Sequence, residues 1–240
     1  LELLDLHSEN RELRAVDISK ALNLSKASVF KMLYTLEKKK YVHKLQNGKY
    51  ALGVKFAHFG SIALETHNIF SIIRPYLQEL RDKYNETTHL GILDDDMYLI
   101  FMAKEQSSAS IHMISKVGAR VPFHVTAMGK VLAANNLDDD LLNKIKSYKF
   151  TRYTEKSITD YDNFIEELRN INERGYAEDL EENEIGLICY AAPVRDITGN
   201  AIAAISISGP TYRMLGNKEE LIRSIKTTAR EVSHEMGYSE

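Results

Sequence analysis

The 240-residue chain carries 31 Lys/Arg against 34 Asp/Glu, a net charge of −3, and 44% of its residues are apolar. This supports packed cores and excludes a disordered or collagen-like chain, while the lack of any bilayer-length apolar run excludes helical membrane spans. One cysteine, Cys189, excludes an internal disulfide framework and fits a reducing, cytoplasmic setting.

The charge is unevenly spread. Residues 17–55 hold nine Lys/Arg against Asp17 and Glu37, a net +7; residues 1–16 carry −2, which leaves −8 for residues 56–240. A small basic module on an acidic body is the asymmetry of a DNA-binding protein, although a solvated lysine-rich helix would give the same imbalance.

Leu1 to Leu6 read as part of an amphipathic helix without a signal-peptide pattern, and with no Met before them an earlier start to the natural chain is expected. Val16 to Leu22 predicts a short helix, with Val16, Ile18, Ala21 and Leu22 available for a core. Asn23 suits a tight turn and Ser25 the N-cap of a second helix. There Val29, Met32, Leu33 and Leu36 recur at i, i+3, i+4 and i+7, which predicts the buried face. The opposite face presents Ala27, Lys31, Tyr34 and Lys38, with Lys26, Ser28 and Phe30 near its start. Two helices about such a turn, the second with a basic outer face, predict a helix-turn-helix.

Tyr41–Leu45 and Lys49–Leu52, around Gln46-Asn47-Gly48, predict a β-hairpin, because Asn and Gly both tolerate positive φ. A hairpin after a recognition helix is a wing, and Lys44, Asn47 and Lys49 at its tip suit phosphate or minor-groove contact. Winged helices also serve as protein-interaction modules without DNA; the basic exposed face argues against that here.

Residues 54–67 predict a linker helix with an apolar stripe of Phe56, Phe59, Ile62 and Ala63. Reading two DNA half-sites needs a dimer, so the stripe is expected to pair with a second copy. A further helix covers Ile69 to Tyr84, with Ile69, Ile73, Leu77, Leu80 and Tyr84 inward; Pro75 predicts a kink or a later start. From Thr87 the period becomes that of strands: a hairpin, 88–93 and 97–104, turns at Asp94-Asp95-Asp96, a solvated turn and not a calcium loop. Ala109–Ser115 reads as another strand. Helices follow at Ala127–Ala134, after Asp138, and at Tyr161–Arg174; strands at Leu187–Arg195 and Ala201–Ser208; and a last helix at Lys218–Met236. This is an α+β domain, without a phosphate-binding glycine loop.

Leu187, Cys189 and Ala191 share one strand face, and Ser206 and Ser208 share one face of the next, so a thiol and two hydroxyls could enter one cavity. The alternative is that Ser208 marks a strand end and Ser206 bonds to backbone; strand alternation leaves the two open.

At this point the chain resembles the IclR-type bacterial regulators. Ile18 to Leu36 (ISKALNLSKASVFKMLYTL) is similar to their helix-turn-helix and Tyr50-Ala51-Leu52-Gly53 to the motif closing their wing. Gly118 to Ala134, Arg174 to Pro193 and Ala203 to Pro210 resemble their effector-domain signatures. The resemblance implies a winged helix-turn-helix (1–53), a dimerising linker helix (54–67) and a GAF/PAS-like effector-binding domain (68–240) whose antiparallel sheet is flanked by helices. It implies a regulator, with repression as the expectation, that binds double-stranded operator DNA as a homodimer and admits a tetramer. DNA contacts fall to Ser25, Lys26, Ala27, Ser28, Phe30, Lys31, Tyr34, Lys44, Asn47 and Lys49. In the family a small carboxylate is held by a helix N-terminus, an acid, a cysteine and two serines; the matching positions are Ala127, Met128, Asp179, Cys189, Ser206 and Ser208. Met113, Val121 and Leu187 would wall the site. Two departures are Tyr41, where the family more often has Gly, and the bulk of Ala127-Met128, which leaves the acid's class (small organic, sugar or aromatic) open.

Neither a cofactor nor a metal is expected, since eight scattered histidines and one cysteine show no ligand spacing. The enzymatic alternative is a cysteine hydrolase using Cys189 with His112 or His124; a mid-strand thiol among apolar residues argues for an inert, buried group.

Overall fold

The computed structural model describes residues 12–59 and 69–239. The expected helix at Leu1–Leu6, and Ile62 and Ala63 of the linker stripe, lie outside the described residues. The chain divides into two compact units, Leu1–Asn68 and Ile69–Glu240.

In the first unit α1 (Ala15–Ala21) and α2 (Lys26–Lys38) meet across a turn in which Asn23 takes φ 49°, the left-handed conformation expected of it. Ser25 Oγ accepts the Ser28 amide at 3.1 Å and caps α2. The core is Ala15, Ile18, Val29, Leu33, Val42 and Tyr50, with Leu13, Leu22 and Leu36 at its margin. Three of the expected core positions are corrected: Val16 and Ala21 are exposed, and Met32 is 39% exposed. In so small a core only the centre of each helical stripe is covered, so Met32, one position off the Val29–Leu33–Leu36 line, falls outside it. Helix α2 ends in a Schellman motif, with Tyr41 N–H donating to Leu36 C=O (2.9 Å) and Lys40 N–H to Glu37 C=O (2.9 Å). Lys40 thus holds the left-handed φ of 62°, and Tyr41 is free to stack on the residues after the wing.

The wing is β1 (Val42–Lys44) against β2 (Tyr50–Leu52), extended by a bridge from Leu13 to Tyr50. Its turn differs from the expected Asn-Gly form: only Gly48 has positive φ (77°), while Asn47 Oδ1 accepts the Lys49 amide at 3.0 Å. The hairpin therefore closes as a longer loop, with Gly48 N–H donating to Leu45 C=O and Leu45 N–H to Lys49 C=O. Gly53 is compulsory, because a Cβ there would lie 2.1 Å from Lys40 O. Residues 55–59 are helical; Phe56 is half-buried and Phe59 exposed, and both rings meet Tyr41, at 5.6 and 6.0 Å.

The second unit is a six-stranded antiparallel sheet between helices. In chain order its elements are α3 (Ile69–Tyr84), β3 (Thr87–Leu93), β4 (Tyr98–Glu105), β5 (Arg120–Pro122), α4 (Ala127–Asn135), α5 (Asp139–Ser147), α6 (Tyr161–Arg174), β6 (Ala177–Leu180), β7 (Leu187–Arg195), β8 (Ala201–Pro210), α7 (Thr211–Gly216) and α8 (Lys218–Glu235). The strands lie in the order β5-β4-β3-β8-β7-β6. Strand alternation divides the core in two. Ile188, Tyr190, Val194, Ile205 and Ile207 pack with Ile73 and Leu77 of α3 and Ile225 and Val232 of α8. Cys189, Ala191 and Ala204 face Met128 and Val131 of α4 and Phe164 and Leu168 of α6. Helix α3 runs from Ile69 with Pro75 inside it, so its start is not delayed.

The strand expected at Ala109–Ser115 is absent. Residues 106–119 form no strand: Gly118 and Ala119 exchange backbone hydrogen bonds with Phe101 of β4, while before them Ser107 Oγ donates to Asn85 C=O (2.5 Å), His112 Nδ1 bonds to Ala109 C=O (2.7 Å) and Arg213 Nη2 donates to Ile111 C=O (2.8 Å). The sheet edge beside β4 is taken by β5. The aspartate turn is held by Asp94 Oδ1, which accepts the Tyr98 amide at 2.8 Å, and Arg120 pairs with Asp94 and Asp96. Among the described residues no cluster could hold a metal, and no helix is long and apolar enough to cross a membrane.

Candidate functional site

Two regions gather the residues that the sequence singles out. On the first unit, Ala27, Phe30, Lys31 and Tyr34 of α2 share an exposed groove with Lys44 of the wing. Phe30 and Tyr34 are 51% and 62% exposed, and nothing in the unit's own core uses them. Lys26 and Ser28 are exposed at the start of α2, while Ser25 is committed to capping. The wing tip is tethered: Asn47 Nδ2 donates to Glu12 Oε2 at 3.2 Å and Lys49 Nζ lies 3.5 Å from the same oxygen. A helix face of alternating aromatic and basic side chains flanked by a lysine-bearing hairpin fits the major groove and its phosphates.

In the second unit a small cavity of about 30 Å³ lies between the sheet and the start of α4. Register explains its composition. Asp179 of β6 is opposite Cys189 of β7, which is opposite Ser208 of β8; one pair along, Ala191 is opposite Ser206, which is opposite His89 of β3. Met113, Val121, Ala127, Met128, Asp179, Cys189, Ser206 and Ser208 all line the cavity. Leu187 does not; it lies on the same strand face, buried in the adjoining core. Leu99, Phe101, Thr126 and Asn183 also line it and were not anticipated as site residues. Pairing the 88–104 hairpin in register would have put Leu99 and Phe101 on this face.

Thr126 Oγ1 accepts the Gly129 amide at 3.1 Å, and Lys130 N–H bonds to Thr126 C=O at 3.0 Å. The first two amides of α4, those of Ala127 and Met128, thus remain for an outside acceptor. Gly129 lets the helix start lie against the turn before it, since a Cβ would be 2.3 Å from Phe123 O.

The electrostatics are those of a buried site. Asp179 Oδ1 accepts the amides of Glu182 (2.7 Å) and Asn183 (3.4 Å), yet burial, reinforced by Glu182 and opposed by Lys130, raises its pKa to about 7. Behind it the buried Lys130 ammonium pairs with Glu182 and lies 3.7 Å from Glu167. Burial pushes the Cys189 thiol well up, with the Asp179 charge adding to the rise, so no thiolate forms near neutrality. His89 is fully buried, its Nε2 2.7 Å from Ser115 Oγ and its ring 4.9 Å from Phe101; burial, with Lys104 nearby, holds it neutral at a pKa of about 3. Both candidate bases for Cys189 are engaged elsewhere: His124 with Thr151 C=O and Tyr148, His112 with Ala109 C=O and Gln106.

Two family descriptions match the chain: "IclR helix-turn-helix domain" over residues 1–46 and "Bacterial transcriptional regulator IclR C-terminal" over residues 61–234. The HTH-type transcriptional regulator KdgR of Escherichia coli (strain K12) is 34% identical over 238 residues, covering 98% of this chain and 90% of that protein. The DNA-binding transcriptional repressor YiaJ of the same strain is 32% identical over 227 residues, 92% of this chain and 80% of that one. The crystal structure of the Thermotoga maritima IclR superposes with a TM-score of 0.75 at 32% identity, covering 99% of this chain and 96% of that one.

Proposed function

Because the chain belongs to the IclR family of bacterial transcriptional regulators, which bind DNA and are not enzymes, we propose that it is a repressor whose operator affinity is set by a small organic acid bound in the second unit. Residues 1–53 bind DNA, 54–67 join two copies, and 68–240 sense the acid, all in the cytoplasm where the operator lies. The observation that carries this reading is the cavity itself. Two helix-start amides and the Ser206 and Ser208 hydroxyls are donors suited to a carboxylate, and Asp179, when protonated, is a further one.

A cavity of about 30 Å³ takes no organic acid as it stands. The acid must therefore displace a wall, and the coil at 107–115, which carries Met113 outside the sheet ladder, is the wall assigned to move. Binding that requires such a shift distinguishes two arrangements of the protein, which is the condition for altering DNA affinity.

A thermal-shift screen of small carboxylates identifies the acid, since a ligand of the native state raises apparent stability. Ser206→Ala with Ser208→Ala should then weaken its binding tenfold or more, at about 1.5–3 kcal/mol for each hydrogen bond lost to a charged group. Operator affinity without the acid should stay near wild type. A double variant that responds at the wild-type concentration removes these serines from the site.

A further inference from the structure

Helix α8 sorts its charges by face. Glu220 turns toward α3, accepting from Tyr84 Oη at 3.0 Å and lying 3.6 Å from Lys83. Arg223, Lys226 and Arg230 instead line an open groove of about 700 Å³ between α8, the outer edge of β7 and the end of α6. With Arg195 they make four cations against one lining carboxylate, Glu219, a local +3 within a stretch, 56–240, whose net charge is −8. Charge of this sign is not the general character of the unit's surface.

The groove is shaped as well as charged. β6 pairs with β7 only from Ala191 onward toward Ile188, so residues 192–195 form a free edge. On that edge Arg195 N–H is taken by Ser233 Oγ at 2.9 Å, and Pro193, two residues back, has no N–H. An added strand would find no ladder donors there, so recognition falls to side chains. The Arg195 guanidinium is fixed by Gly199 C=O (2.8 Å) and Asn135 Oδ1, and the Lys226 ammonium by Arg174 C=O (2.7 Å). Arg223 and Arg230 are exposed, enter no ion pair among the described residues, and are separated by about 10 Å of helix rise. Ala192, Pro193, Ile222 and Ala229 give the groove an apolar floor.

We infer that this groove is a second ligand site, for a small organic molecule carrying phosphate groups at both ends. Guanidinium forks match phosphate oxygens in pairs, the spacing of Arg223 and Arg230 asks for two anionic groups, and the floor accepts the carbon skeleton between them. The site shares no residue with the cavity under α4 and does not rest on the acid proposed there.

The test is calorimetric titration of the full chain with fructose 1,6-bisphosphate at about 0.15 M salt, which screens loose ionic association. Inorganic phosphate serves as the single-charge-centre control. The bisphosphate should bind at least tenfold more tightly than phosphate, and Arg223→Ala with Arg230→Ala should weaken it at least tenfold. Lys31→Ala in the DNA-binding unit and Arg169→Ala, an exposed residue of α6, should leave it unchanged. No binding at millimolar bisphosphate, or a double variant that binds like wild type, overturns the inference. So does an equal loss in Lys31→Ala or Arg169→Ala, which would mean binding at the DNA face or diffuse attraction.

Discussion

Replacing Asp179 by Asn should remove much of the pH dependence of the second unit's stability. The carboxyl is buried and accepts two amides, and burial, with Glu182 adding and Lys130 opposing, raises its pKa from 3.8 to about 7. A group whose folded pKa is raised binds more protons folded than unfolded. Its contribution is fully present below the unfolded pKa and is lost as pH rises through the folded one. With those two pKa values, linkage gives a loss of about 2–3 kcal/mol between pH 5 and pH 8. Glu182, also raised by burial, acts in the same direction, so the variant keeps a residual slope from that residue. Asn offers the same two amides an oxygen and carries no charge to desolvate. Urea unfolding at pH 5, 6, 7 and 8, followed by circular dichroism and the fluorescence of the 13 tyrosines, measures the difference. The variant should gain on wild type steadily across that range. Parallel stability curves for the two proteins would refute the reasoning and return Asp179 to an ordinary carboxyl.

Lys31→Ala should weaken binding to a duplex selected from a random pool by the wild-type protein, and reduce the log–log salt slope by about one; an unchanged affinity and slope would mean that α2 presents another face. Phe59→Asp should shift sedimentation toward monomer, because this exposed ring stacked on Tyr41 belongs to the stripe assigned to a second copy; an unchanged mass leaves the stripe to its own unit. Gly53→Ala puts a methyl 2.1 Å from Lys40 O, so DNA binding and the first unit's melting should both suffer. Wild-type melting and DNA affinity in that variant would show that the wing closes some other way.

The helix-turn-helix was legible because its signals are local: a cap at Ser25, a left-handed Asn23 and the Val29–Leu33–Leu36 stripe each act within a few residues. Strand alternation placed Cys189 with Ala191, since side-chain direction follows from position along the strand alone. What the chain could not declare was pairing. The alignment of Asp179, Cys189 and Ser208, and of Ser206 with His89, exists only because β6, β7, β8 and β3 meet in one register, set by the packing of both faces of the sheet. The same packing gave the sheet edge to Arg120–Pro122 and left Ala109–Ser115 as coil, although the latter looks the better strand. Burial finished the site. The Asp179 carboxyl is shifted and the His89 ring kept neutral by the loss of water around them, a property of the folded surroundings that no residue carries by itself.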